Sequence, residues 1–324
     1  ESSCHRVRQT RVWAVGERRR NGSLSSPATR SSYPRPSTIR AAAVPGAGIP
    51  HRLPRSNGFD LTEDGRIRSD TADEVITEHT KVVAITHVGN TTGAITDIAP
   101  IIRRAHEVGA IFILDACQSV PHLKVNFHAL DVDFAAWSAH KMYGPTGVGF
   151  LYGRRELLEA LPPANFGGSM VELAWMDQPA QYMVPPARFE AGTQPVAQVV
   201  AAGVAAEWMM NVGLENIEAH ERTIAAELLK MGDIDGVRIL GPRENVNRIG
   251  TVAFDVAGVH PHDVGQFIDA QGIAIRVGHH CAQPVHRHFG LYASNRASSG
   301  VYNSVDDAHA LVEAVAKVRP FFGL

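Results

Sequence analysis

The rest of this chain is organised around one stretch of sequence, Asp131-Val-Asp-Phe-Ala-Ala-Trp-Ser-Ala-His-Lys-Met-Tyr-Gly-Pro-Thr-Gly147. Its pattern predicts a short apolar strand over residues 134–137, followed by a polar turn that contains Ser138, His140 and Lys141. A site that confines a lysine after a buried strand can favour its neutral amine, which can form a Schiff base with a carbonyl compound. The alternative interpretation is a surface lysine at the point where a strand ends.

Strands and helices alternate around this stretch. Aliphatic, β-branched and aromatic runs predict further strands over 81–86, 111–114 and 148–152. A helix is predicted over 97–108, with Asp97 as its cap, Gly109 at its end, and an inner apolar face. That face consists of Ile98, Ile101, Ile102 and Ala105. Such alternation predicts a layered α/β domain with a largely parallel sheet.

Polar side chains follow three of the predicted strands. They are Asn90, then Asp115 and Gln118, then Ser138, His140 and Lys141. Each of these residues alone is typical of a cap or a turn. Because ligands gather at the carboxyl ends of strands in such sheets, the whole set predicts a binding site at one edge.

The second half of the chain has a different pattern. Helices are predicted over 194–210, 214–229, 263–271 and 305–318, and strands over 249–254 and 273–277. We therefore divide the chain into residues 1–57, a large domain over 58–212 and a smaller α+β domain over 213–324. The loop Gly278-His-His-Cys-Ala-Gln-Pro284 carries soft ligands that zinc would accept. Its spacing matches no closed zinc pattern, so we predict no metal site.

Composition and charge narrow the classes of function. The chain has 324 residues, is 44% hydrophobic and 20% charged, and has no apolar run long enough to predict a membrane span. Residues 1–57 contain eleven Arg, no Lys and two acidic residues; their formal charge of +9 leaves −11 for the remainder. An acidic body argues against nucleic acid as the main partner. Three cysteines, Cys4, Cys117 and Cys281, indicate a reducing compartment, and Cys117 is interpreted as a small buried apolar residue.

Residues 1–57 are rich in Arg, Ser and Pro and have no sustained periodicity. A segment of this kind buries too little apolar surface to offset the entropy of ordering it. Three interpretations are open: a disordered basic arm, an organelle transit peptide, or a misread start. The misread start, which we favour, is suggested by Glu1, because the sequence does not open with Met.

From about Leu61 onward, the chain resembles cysteine desulfurases of the Suf type, in the class V aminotransferase group of pyridoxal phosphate (PLP) enzymes. Seven motifs in order carry the resemblance. They are His87-Val-Gly-Asn90, Asp115-Ala-Cys-Gln-Ser119, Ser138-Ala-His-Lys-Met-Tyr-Gly-Pro-Thr-Gly147, Gly167-Gly-Ser169, Arg188-Phe-Glu-Ala-Gly-Thr193, Arg276-Val-Gly-His-His-Cys-Ala-Gln-Pro284 and Arg296-Ala-Ser298. The resemblance implies PLP fold type I: a three-layer α/β/α large domain, incomplete here, plus a small C-terminal domain.

The resemblance also implies how PLP is held. Lys141 matches the lysine that carries the cofactor. Asp115 matches the carboxylate that keeps the pyridine nitrogen protonated, so that PLP can store electrons. Gln118 resembles the donor to the cofactor's phenolic oxygen. Ser138 and His140 match ligands of the phosphate.

The remaining roles concern the substrate, the sulfur and the second subunit. Asn90 and Arg296 resemble the groups that orient the carboxylate of L-cysteine, for which an Arg fork is suited. Cys281 matches the nucleophile that accepts sulfur as a persulfide. Arg276 is expected to stabilise the thiolate form of Cys281 and to help bind the substrate. Thr193 resembles a phosphate ligand lent across a homodimer.

As a whole, the resemblance implies conversion of L-cysteine to L-alanine, with sulfur passed to an acceptor protein of the Suf system for iron–sulfur cluster assembly. A cytoplasmic location is expected, or a plastid or other organelle if residues 1–57 are a transit peptide. A selenocysteine lyase, a kynureninase-like hydrolase and an epimerase share the lysine and the aspartate, and Cys281 separates those that lack a cysteine nucleophile. An inactive truncated chain that only binds partners is the alternative from another class.

One departure from the family concerns the cofactor phosphate. Members carry a glycine-threonine loop at a helix start for this phosphate, and a histidine that stacks on the pyridine ring. Neither is found here, and residues 1–57 stand where they are expected. A transit peptide would add to the family sequence rather than replace part of it, so this departure favours the misread start. Because a helix N-terminus is a common way to hold such an anion, we expect this chain alone to bind PLP poorly and to be close to inactive.

Overall fold

The structure, a computed structural model, describes residues 57–324 and the short strand Thr38–Ile39. The predictions for residues 1–57 therefore lie outside the described residues, apart from Asn57 and that strand. Thr38–Ile39 pairs antiparallel with Phe59–Asp60.

Short strands and helices alternate through most of the described chain. The strands are β1 (Thr38–Ile39), β2 (Phe59–Asp60), β3 (Val82–Thr86), β4 (Ile111–Asp115), β5 (Phe134–Ser138), β6 (Gly149–Gly153), β7 (Val171–Leu173), β8 (Gln181–Tyr182), β9 (Val237–Leu240), β10 (Thr251–Val256), β11 (Arg276–Gly278) and β12 (Ser294–Ser298). The α-helices are α1 (Ala72–Val75), α2 (Ala99–Glu107), α3 (Arg155–Ala160), α4 (Val196–Val212), α5 (Leu214–Leu229), α6 (Pro261–Asp269), α7 (Gln283–His288), α8 (Val305–Ala316) and α9 (Val318–Phe321). Most agree with the predicted elements to within a few residues at each end.

The first large sheet has the strand order β3-β4-β5-β6. Strands β3, β4 and β5 are parallel, and β6 runs antiparallel to β5. Helix α2 covers one face with the predicted apolar side chains, since Ile98, Ile101, Ile102 and Ala105 are all buried. The largely parallel sheet is therefore confirmed, and its parallel strands bring three carboxyl ends to one edge.

The second sheet is antiparallel throughout, in the order β11-β12-β10-β9. Helices α5, α6 and α8 enclose its core, which includes Phe254, Ile224 and Leu311. The predicted domain boundary falls at Gly213, which separates α4 from α5. The division of the chain into domains at that point stays a prediction.

The segment that follows β3 connects the two sheets. The Ile95 N–H donates to the Asn247 carbonyl, and the Ile249 N–H donates to the Gly93 carbonyl, both at 2.9 Å. Gly93 has φ +69°, and a β-carbon there would collide with the Thr251 carbonyl oxygen. This close approach fixes the Asn90 region against the second sheet.

Apolar side chains remain exposed on α4 and around the β7–β8 hairpin. They include Phe166, Leu173, Met176, Val196, Val200 and Val204. In the described part of the chain, no single helix is long and apolar enough to cross a membrane. Val196–Val212 and Leu214–Asp233 meet that test of length and composition only as a pair, bent by 77°.

Candidate cofactor and substrate site

The carboxyl ends of β4 and β5 place Asp115, Cys117 and Ser138 side by side. The Asp115 carboxylate accepts a 3.0 Å hydrogen bond from the Cys117 N–H, and the Cys117 sulfur lies 4.0 Å from the Ser138 hydroxyl. Asp115 is exposed and has no cationic partner among the described residues. In the described part of the chain, the edge thus presents a carboxylate without a cationic partner beside a hydroxyl.

Lys141 lies on the turn directly after β5. A single 3-10 turn, Ala139–Lys141, follows the strand, and the buried Ala139 and Met142 anchor it. Gly144 returns closely, with its N–H donating to the Ala139 carbonyl at 3.0 Å. The Lys141 amine is half-buried and has no ion pair within residues 57–324, while His140 is exposed beside it. Lys141 is therefore presented, without an internal partner, at the edge where Asp115 lies.

Cys117 lies at the same edge as Asp115 and Ser138. It was predicted to be a small buried apolar residue, but it is only half-buried and lies beside the Ser138 hydroxyl. Burial raises the pKa of its thiol to about 11, and the Asp115 carboxylate acts in the same direction. A thiol held protonated in this way is a poor nucleophile.

Gln118 and Thr193 lack hydrogen-bond partners of their side chains in the described part of the chain. Gln118 is half-buried and follows Cys117. Thr193 is exposed on the segment that leads into α4. Their predicted contacts with PLP, and the lending of Thr193 across a dimer, stay predictions.

A network of hydrogen bonds joins Asn90, Arg296 and the loop of Cys281. Asn90 follows a strand of the first sheet, whereas Arg296 and the loop belong to the second sheet. An Arg296 guanidinium N–H donates to the Asn90 carbonyl at 2.9 Å. The Asn90 side-chain amide donates to the His280 carbonyl at 2.5 Å. Arg276 lies opposite Arg296 in the β11–β12 pair and is exposed. The predicted substrate residues therefore form one group with the neighbour of Cys281.

The Arg296 guanidinium is partly buried and has no carboxylate partner among the described residues. Its Nε atom is buried without any hydrogen-bond partner. Burial lowers the pKa of Arg296, the positive charge of Arg276 lowers it further, and Cys281 acts in the opposite direction. A partly buried cation that lacks a carboxylate partner is suited to a small carboxylate ligand, which it can bind through a fork of hydrogen bonds.

Cys281 is exposed on a short loop between β11 and α7. Both His280 and Cys281 have left-handed backbone conformations, with φ values of 51° and 62°. Non-glycine residues adopt this conformation only where surrounding contacts maintain it. The loop is therefore held in a strained shape that presents the thiol to solvent.

Histidines surround this loop, but their arrangement differs from that of a metal site. Burial lowers the pKa of His280 to about 3, and Arg296 adds to the effect. His279 stacks edge-on against Tyr292, with ring centroids 4.6 Å apart. Within residues 57–324, no group of three or more His, Cys, Asp or Glu side chains is placed to hold a metal ion.

The donors at the first edge fit PLP. The cofactor has an aldehyde, a protonated ring nitrogen and a phosphate, and these groups need an amine, a carboxylate and hydrogen-bond donors. Lys141, Asp115 and the pair Ser138 and His140 are of those types, and no ion pair with another described residue occupies the amine or the carboxylate. These residues would hold PLP.

Ser294, close to the Cys281 loop, was not predicted from the sequence. Its one sequence signal is its position two residues before Arg296 on a strand.

Comparisons with known proteins identify the family of this chain. Residues 55–311 match the model of the family described as aminotransferase class-V. The probable cysteine desulfurase 2 of Mycobacterium leprae is 49% identical over 82% of this chain, and the probable cysteine desulfurase of Streptomyces coelicolor is 46% identical over the same share. The chain spans about 63% of the length of both relatives.

Solved structures give the same family. A crystal structure of the cysteine desulfurase CsdA of Escherichia coli matches with a TM-score of 0.76 and 35% identity, over 81% of this chain and 64% of that one. The apo cysteine desulfurase of Thermococcus onnurineus NA1 matches with a TM-score of 0.78 and 34% identity, over 82% and 66%. The fold is that of PLP enzymes of fold type I. The chain belongs to the aminotransferase class-V family, whose PLP-dependent members include these desulfurases.

Proposed function

We propose that this chain carries the catalytic residues of a cysteine desulfurase, which converts L-cysteine to L-alanine and transfers the sulfur to Cys281 as a persulfide. One observation carries the proposal most directly. Arg296, a partly buried cation without a carboxylate partner in residues 57–324, bonds to Asn90, whose amide in turn holds the backbone next to Cys281. A substrate carboxylate and a nucleophilic thiol would therefore meet in one place.

The roles of the residues follow from their positions. PLP, when bound, supplies an electron sink for the carbon that bears the amino group. Asp115 would hold the pyridine nitrogen protonated, Gln118 would donate to the phenolic oxygen, and Ser138 and His140 would bind the phosphate. The Lys141 amine would bear PLP and, when free, would move the proton of the substrate's α-carbon.

Sulfur transfer is the task of Cys281. Its thiolate attacks the sulfur of the bound cysteine, so that a sulfur–sulfur bond forms and the carbon–sulfur bond breaks. The bond electrons stay with the β-carbon, which takes a proton and becomes the methyl group of alanine. The sulfur is oxidised, the carbon is reduced, and no external oxidant is needed. Arg296 and Arg276 favour the negative charge of the thiolate during this step.

The wider setting belongs to the same proposal. A homodimer would let Thr193 of one subunit reach the phosphate in the other, and the exposed apolar side chains of α4 are compatible with a covered surface. An acceptor protein of the Suf system would take the persulfide for iron–sulfur cluster assembly in the cytoplasm. The exposed position of Cys281 is compatible with delivery to another protein.

The test is alanine release from L-cysteine by the 324-residue chain, after titration with PLP followed by absorbance. Because this chain alone is expected to bind PLP poorly and to be close to inactive, the wild type should reach full PLP absorbance only at high PLP concentration and should release alanine slowly, while Cys281→Ser should reach the same PLP absorbance and form no persulfide. Sulfide release at the wild-type rate by Cys281→Ser would rule out Cys281 as the acceptor. A strong preference for selenocysteine would favour a selenocysteine lyase, and absence of PLP binding would favour a chain that only binds partners.

A further inference from the structure

Beneath the loop of Cys281, two histidine rings share one serine hydroxyl. The Ser294 oxygen lies 3.1 Å from His280 Nε2 and 2.9 Å from His286 Nε2. The three residues are almost completely buried, with exposures of 3% for His280, 1% for His286 and 0% for Ser294. Water therefore has little access to these nitrogens, and the protons must be arranged within the cluster.

The direction of each hydrogen bond follows from the donors and acceptors. His286 Nδ1 lies 3.0 Å from the Ala282 carbonyl, which can only accept, so Nδ1 bears the hydrogen. Burial lowers the pKa of His286, so the ring is neutral and its Nε2 is an acceptor. The single hydrogen of Ser294 must then go to His286, and the Ser294 oxygen accepts from His280 Nε2–H.

We propose that Ser294 is a positioning residue: it connects His286, whose tautomer the Ala282 carbonyl sets, to His280, where it imposes the opposite tautomer, and it thereby holds the Cys281 loop in place. The chain of bonds runs from His280 through Ser294 to His286 and ends on the Ala282 carbonyl. Its two ends therefore lie on the residues that precede and follow Cys281. The consequence for sulfur transfer rests on the proposed function of Cys281, whereas the tautomers do not.

The same loop is held from the substrate side. The His280 carbonyl accepts from Asn90, and its ring donates to Ser294, so this residue is fixed at both ends. Ser294 and Arg296 are two residues apart on β12 and therefore face the same side of the sheet. One strand thus sets the position of the Cys281 loop and of the cation for the substrate. The left-handed conformations of His280 and Cys281 require such restraint.

Nitrogen NMR of the intact chain, labelled at histidine with ¹⁵N, tests the tautomers without any substitution at Ser294. His286 should give a protonated Nδ1 and an unprotonated Nε2, while His280 should give the reverse pattern near neutral pH. Resonances are assigned by the loss of one set in His280→Gln and in His286→Gln. The same tautomer in both rings, or a doubly protonated ring, would overturn the proposal.

Amide hydrogen exchange and turnover test the consequence for the loop. In Ser294→Ala, the Ala282 amide should exchange at least about tenfold faster, and kcat for alanine formation should fall about tenfold with KM little changed. Ser294→Thr, which keeps the hydroxyl, should restore most of both. The matched control is Ser299→Ala, because Ser299 is a buried serine directly after β12 whose hydroxyl donates to the Gly250 carbonyl.

These outcomes separate two kinds of failure. A chain without alanine formation would contradict the proposed function, but the exchange rate and the tautomers would still decide the role of Ser294. If Ala282 exchanges equally fast in Ser294→Ala and Ser299→Ala, Ser294 has only a general structural role. If Ser294→Ala does not fold, the wild-type tautomers alone give the answer.

Discussion

Acid should unfold this protein partly through His87, which lies directly after β3 next to the cofactor edge. Its backbone N–H donates to the Asp115 carbonyl at 3.0 Å, and its ring is buried. The Nδ1 atom has no hydrogen-bond partner in the described part of the chain. Burial without a partner for the charged form lowers the pKa of His87 to about 4.

The sign and the size of the effect follow from linkage. The unfolded chain binds a proton at His87 as the pH falls through about 6.5, whereas the folded chain binds it only near pH 4. The stability that the neutral His87 ring contributes is thus fully present above the pKa of the unfolded chain, and it is lost as the pH falls toward the pKa of the folded chain. At 1.36 kcal/mol per pH unit, the free energy of unfolding should fall by about 3 kcal/mol over this window.

Urea unfolding of wild type and His87→Gln at a series of pH values isolates this contribution, because glutamine does not titrate. The difference in free energy between the two proteins should change by about 3 kcal/mol between about pH 7 and about pH 4. His309→Gln is the control of opposite sign. Its hydrogen bond to Glu227 raises the pKa of His309, so the stabilisation is present at low pH and is lost as the pH rises.

The free energy of unfolding should therefore fall more steeply with decreasing pH in His309→Gln than in the wild type, and less steeply in His87→Gln. A difference between wild type and His87→Gln that stays constant across this pH range would refute the reasoning. It would mean that His87 is hydrated, or that it finds a partner when charged.

Three further predictions concern the site and the contact between the two sheets. Borohydride reduction of the chain with bound PLP, followed by peptide mapping, should label Lys141; a label on another lysine would contradict the assignment. Arg296→Lys, which cannot form the fork or keep the bond to Asn90, should raise KM for cysteine about 10- to 100-fold with a smaller effect on kcat. Equal falls in kcat and kcat/KM, with KM unchanged, would instead point to a role in the transition state alone. His122→Ala should cost about 3–5 kcal/mol in urea unfolding, because the buried Glu221 carboxylate, 2.7 Å from His122, would keep no partner for either oxygen. The exposed pair of Lys124 and Glu215 joins the same segment to the same helix, so Lys124→Ala should have little effect; similar losses in the two variants would show that burial of the pair is unimportant.

Local patterns were sufficient to predict most elements of the fold. Helix α5 runs over Leu214–Leu229, as its amphipathic pattern predicted, and the strands of the first sheet lie within two residues of the predicted ranges. The residues at the strand ends were also predictable, because parallel strands carry Asp115 and Ser138 to the same edge. These features depend on periodicity and chain direction, which a single sequence contains.

Contacts between distant parts of the chain could not be predicted in the same way. Asn90 and His280 are 190 residues apart, and Asn90 and Arg296 are 206 apart. The half-buried position of Cys117 depends on the neighbouring Ser138, and the left-handed conformation of Cys281 depends on contacts made by its neighbours. No local preference favours such a backbone at two successive non-glycine residues, so only the packed structure reveals it.

The two ends of the proposed site therefore depend on different interactions. The residues proposed to hold PLP, Asp115, Ser138 and Lys141, lie within the first sheet or on the turn that follows it. The group proposed to bind the substrate exists only while Asn90 stays against Arg296 and His280, which needs the two sheets to remain in contact. Weakening the contact between the sheets, as in His122→Ala, should consequently affect the KM for cysteine more than the affinity for PLP. If PLP affinity fell by the same factor as substrate affinity, the two ends would have to be coupled through the first sheet itself.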